Sequence, residues 1–69
     1  MAVNLDEIAT IDAKEAARVL GINRVRLYRL IREGAIPAIR IGRSVRFRVS
    51  ALRAWMDEQE QRASRRHAA

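Results

Sequence analysis

The twelve residues from Asn23 to Gly34, Asn-Arg-Val-Arg-Leu-Tyr-Arg-Leu-Ile-Arg-Glu-Gly, leave the chain few choices. Asparagine suits a helix N-cap and glycine a left-handed stop, so the residues between them predict one helix. Stepping around it from Arg24 places Leu27, Leu30 and Ile31 on a narrow apolar side. The opposite side carries Val25, Arg29 and Arg32, flanked by Arg26 and Tyr28. Four arginines there face one acid, Glu33, and no glutamate stands four residues before an arginine to pair with it. An ordinary solvated amphipathic helix is the plainer alternative, but it gains nothing from such a face. A phosphate backbone accounts for it, and a helix of this kind fits a DNA major groove.

The segment before it predicts a partner helix. Asp12 and Glu15 form an Asp-x-x-Glu variant of the capping box ahead of an apolar run that Gly21 stops. The helix is expected over Ala13–Leu20, with Ala16, Val19 and Leu20 inward and the alanines allowing close approach. About eight residues do not persist alone, so it must pack on its neighbour. Gly21-Ile22-Asn23 then reads as the turn of a helix-turn-helix, with Ile22 in the angle between the helices. Upstream, Leu5, Ile8 and Ile11 recur every three residues, and residues 1–10 read as an N-terminal arm or a short helix.

After Gly34, Pro37 prevents the helix from resuming and the period changes from 3.6 to 2. Ile39 and Ile41 alternate with Arg40, and Val45, Phe47 and Val49 with Arg46 and Arg48, around Gly42-Arg43-Ser44. The pattern predicts a β-hairpin from Ala38 to Arg48, apolar on one face and arginine-rich on the other, with Arg43 at its tip. Two strands are marginal in water, so the apolar face must cover the helices. A hairpin placed so is a wing, and its usual contacts are phosphates and the minor groove. Ser50 is expected to cap a third helix over Ala51–Gln59, with Leu52, Trp55 and Met56 toward the core. Residues 60–69 read as a basic flexible tail, with His67 a free surface imidazole.

The expected architecture is mainly α with a small β-hairpin: a winged helix-turn-helix of three helices plus wing, its domain spanning residues 11–59. Net charge is +6, and its distribution points to a polyanion. Residues 1–22 carry four acids against two bases, whereas residues 23–69 carry twelve arginines against four acids. There is no cysteine, which removes disulfides and thiolate metal sites and suits a reducing cytoplasm. No apolar run approaches the roughly 20 residues of a membrane span. Catalysis needs a base or nucleophile with an orienting partner. Ser44, Ser50 and Ser64 have turn, cap and tail places, and the single histidine sits in the tail. No enzyme activity, cofactor, metal or small-molecule ligand is expected.

Ile11 to Gly21, then Asn23-Arg24 with Leu27 to Gly34, then Ile36-Pro37-Ala38-Ile39-Arg40-Ile41-Gly42-Arg43-Ser44-Val45-Arg46-Phe47, Ser50-Ala51-Leu52 and Trp55 occur in an order that resembles a known family. It is the excisionase-type, MerR-like winged helix-turn-helix family, and the pattern is similar to excisionases of actinobacterial temperate phages. The resemblance implies a recognition helix in the major groove, so that its outward residues Arg24, Val25, Arg26, Tyr28, Arg29 and Arg32 face the DNA; the family often has Ser or Thr where this chain has Val25 and Arg26. It implies a wing on the adjacent minor groove carrying Arg40, Arg43, Ser44, Arg46 and Arg48. The function it implies is that of a recombination directionality factor, binding attachment-site double-stranded DNA in neighbouring copies and bending it for a phage integrase, of the tyrosine or serine recombinase type. The expected location is the bacterial cytoplasm, at the nucleoid. A small transcriptional regulator with the same surface is the alternative, and a module for an acidic protein partner a third.

Overall fold

The computed structural model describes residues 8–67; residues 1–7, with Leu5 of the expected arm, lie outside the described residues, as do 68 and 69 and the side chains of Arg66 and His67. The elements run β1 (Thr10–Asp12), α1 (Ala13–Leu20), α2 (Arg24–Arg32), β2 (Ile39–Ile41), β3 (Ser44–Arg48) and α3 (Val49–His67). The fold is a winged helix-turn-helix: among the described residues, three helices and a small antiparallel sheet of order β1-β3-β2.

Local chemistry sets both ends of α1 and α2 where the sequence predicts them. Asp12 caps α1, its carboxylate accepting from the Glu15 backbone N–H at 2.8 Å. The return half of the capping box is replaced: the Glu15 carboxylate pairs with Arg18 one turn on. Gly21 adopts φ 69° and turns the chain, and Ile22 N–H donates to the Ala17 carbonyl at 3.1 Å. Asn23 caps α2 by accepting from Arg26 N–H at 2.8 Å. At the far end Gly34 takes φ 67°, and Ala35 N–H closes on the Leu30 carbonyl at 2.9 Å.

The core gathers Ala13, Ala16 and Ala17 of α1, Leu27 of α2, Ile36, Phe47 of β3 and Leu52 of α3, with Leu27 and Phe47 fully buried. Three alanines let α1 lie close against its neighbours. Val19, expected inward, is instead 48% exposed, because α1 turns Ala13, Ala16 and Ala17 to the core and leaves Val19 at the edge of that face. Trp55 is half-buried against the cluster, and its Nε1–H donates to the Ala35 carbonyl at 2.7 Å.

The sheet departs from the expected hairpin in three ways. It has a third strand: Thr10, Ile11 and Asp12 pair with Arg48, Phe47 and Arg46, so the end of the expected arm is sheet. Its turn has two residues, Gly42-Arg43, with Ser44 already paired to Ile41. Positive φ at Gly42 alone matches a type II′ turn with glycine first. The shorter turn also sets the faces. Arg40 lies opposite Val45 and Ile39 opposite Arg46, so Arg40 shares the face of Val45 and Phe47. Ile39 and Ile41 share the outer face with Ser44, Arg46 and Arg48, and Ile41 is 61% exposed. The expectation of an all-apolar inner face and an all-arginine outer face is therefore corrected.

The third helix starts earlier and ends later than expected. β3 passes straight into α3 at Val49, so Ser50 lies inside the first turn, while Val49 N–H donates back to the Ala9 carbonyl at 2.9 Å. The stretch expected as a flexible tail continues the helix to His67. Glutamate, glutamine, alanine and arginine in that stretch are strong helix formers, no glycine or proline interrupts them, and Arg62 pairs with Glu58 at 2.9 Å across one turn.

Candidate nucleic-acid interface

Helix α2 presents its six candidate residues, Arg24, Val25, Arg26, Tyr28, Arg29 and Arg32, all exposed. Leu27, with Leu30 and Ile31 beside it, anchors the other side in the core and fixes how the helix is rotated. Val25 stands out, 72% exposed in the middle of the basic face.

The wing lies beside this helix, and two clefts run between them. One is lined by Arg24, Val25, Tyr28, Ile31, Arg32 and Arg40. Arg40 reaches it because the hairpin register puts it on the helix-facing side of the sheet. The second is lined by Asp12, Lys14, Arg24, Tyr28, Arg43 and Ser44, together with Arg46. Arginines from helix and wing thus converge on shared clefts although they are far apart in sequence. By the helical step, Arg26 and Arg29 lie farther round α2, away from the wing.

The wing residues divide by environment. Arg43 sits in the turn and Ser44 begins β3, both exposed. Arg46 is half-buried and its guanidinium holds β1: Nε donates to Thr10 Oγ1 at 3.2 Å and Nη2 to the Thr10 carbonyl at 3.3 Å. Arg48 is exposed on the outer face, beside Pro37, Ile39 and Ala51, and lines neither cleft.

Lys14 is a cleft residue that sequence reasoning passed over. A usable signal was present: a cation in the first turn of a helix opposes the macrodipole, so its place there needs another reason. The one acid in that cleft, Asp12, is engaged in capping α1. Farther along α1, hydrogen bonding and the nearby Arg18 charge hold the exposed Glu15 carboxyl below its ordinary value and raise the Arg18 guanidinium. That pair satisfies itself, which leaves Asp12 as the one carboxylate beside the four cations of the cleft.

Among the described residues no cluster of histidine, cysteine or carboxylate residues is arranged to hold a metal ion. No helix among them is long and apolar enough to cross a membrane. A family model described as Helix-turn-helix domain matches residues 10–60. No curated protein and no solved structure matches the chain.

Proposed function

The chain belongs to the helix-turn-helix domain family and binds DNA, and on that premise we propose that it is an excisionase, a recombination directionality factor. In this reading α2 enters the major groove, where Arg26 and Arg29 read base edges, and the wing grips the adjacent backbone through Arg40 and Arg43. Arg24, Tyr28, Arg32, Ser44 and Arg46 complete the contact surface, with Arg48 at its margin on the outer face of the wing. The role is architectural rather than enzymatic and needs no cofactor. The observation that carries its DNA-binding part is the convergence of helix and wing cations on two shared clefts.

The size of the surface supports action in several copies. A single small module buries roughly 600–1,000 Å² on DNA, less than most specific complexes. Neighbouring copies on adjacent sites add contacts and repay the few kcal/mol that bending a duplex costs. Bent attachment-site DNA is then presented to an integrase, of the tyrosine or serine type, inside the bacterial cell at the nucleoid. Mapping the sites bound by the protein tests this: tandem sites beside attachment DNA are expected, with excision in a recombination assay depending on the protein. Isolated promoter operators and excision indifferent to the protein would instead establish the second reading, a small transcriptional regulator, which the same residues serve.

An acidic protein partner for the arginines makes a third, contrasting prediction. If four or five phosphates are neutralised, log affinity for duplex DNA falls against log salt with a slope of roughly −4. A slope near zero would favour the acidic partner.

A further inference from the structure

Val25 is the one apolar side chain at the centre of the exposed basic face of α2, and none of the described residues covers it. A β-branched residue is a weaker helix former than the arginines around it, so neither helix formation nor solubility explains it. It is the second residue of the helix, one place after Arg24, and N-terminal positions of a recognition helix are those that reach base edges. Tyr28 and Ile31 extend the apolar floor of its cleft, while Arg24, Arg32 and Arg40 rim it with positive charge.

A small apolar surface ringed by guanidinium groups suits an apolar group carried on a polyanion. In the major groove the apolar group among the unmodified bases is the C5-methyl of thymine. We propose that Val25 is a specificity-determining residue that packs on a thymine methyl. It thereby selects a T·A pair next to the positions read by the arginines. The inference rests on the DNA-binding reading and adds to it the identity of one base.

The test uses the full chain and the highest-affinity duplex selected from random sequence. Each thymine of that site is replaced singly by deoxyuridine, which removes the methyl and keeps every hydrogen-bonding group. One position is expected to lose about four-fold in affinity, the ratio for returning one buried methyl to water. Val25→Ala binds the thymine and deoxyuridine sites equally, whereas Val25→Ile keeps the preference; circular dichroism checks that both variants fold. The proposal is overturned if no thymine methyl matters, or if Val25→Ala discriminates as the parent does. Either result leaves DNA binding itself intact, whereas failure to select any site would sink the DNA-binding reading along with it.

Discussion

Trp55 and Ala35 are joined by a 2.7 Å hydrogen bond from the indole Nε1–H to the backbone carbonyl, which ties α3 to the segment between the recognition helix and the wing. The bond fixes where the chain leaves α2 and so helps set how the wing lies beside it. Trp55→Phe keeps most of the packing and removes the donor. The expected loss is about 0.5–1.5 kcal/mol of stability, measured by urea unfolding. An unchanged unfolding midpoint would show that the bond contributes nothing to the folded state.

The core is small enough for one residue to decide the fold. Phe47 is fully buried where sheet and helices meet, and Phe47→Ala is expected to cost about 3–5 kcal/mol. Domains hold only about 5–15 kcal/mol in all, so the loss takes a large share of the total and circular dichroism should show a sharply lowered melting temperature. Val19→Ser, on the same criterion of exposure, should change stability by no more than about 0.5 kcal/mol.

The wing arginines are not equivalent. Arg40 and Arg43 line the clefts beside α2, and Arg48 lies on the outer face. Arg40→Ala and Arg43→Ala should each reduce the salt slope of DNA binding by about 1 and weaken random and selected sequences alike. Arg48→Ala should reduce it less. Equal losses for all three, read by titration at several salt concentrations, would place the outer face of the wing on the DNA as well.

Glu15 offers a pH probe outside the two clefts. Its hydrogen bond with Arg18 holds the carboxyl below the ordinary glutamate value, so the pair stabilises the fold above that value and is lost as pH falls through the lowered one. Carboxyl titration by nuclear magnetic resonance should show the depressed value in the parent, and Arg18→Ala should raise it. With the pair open to solvent, the accompanying change in stability is small.

Helices α1 and α2 were legible because a few adjacent residues define their ends: Asp12 and Gly21 for one, Asn23 and Gly34 for the other. The two-helix turn and the basic face follow directly from those limits. Strand β1 was not legible, since three residues carry too little alternation and owe their conformation to pairing with Arg46, Phe47 and Arg48 far along the chain. The faces of the wing turned on a single residue. Counting Ser44 in the loop rather than in β3 shifts the pairing by one, and a shift of one exchanges the sides of every residue in β2. That is why Arg40, placed outward by its alternation with isoleucine, belongs to the cleft. The convergence of Lys14 with Arg24 and Arg43 is a tertiary fact that no local pattern contains.

Helix α3 runs for nineteen residues, and from Asp57 to Arg65 its side chains are exposed apart from the half-buried Gln59. Those turns count fully in a helical spectrum yet share little of the packing that makes unfolding cooperative. Heating should therefore give two different curves from one protein. Far-ultraviolet ellipticity will decline gradually from low temperature as the free end frays, while Trp55 fluorescence holds until the core melts in a single step.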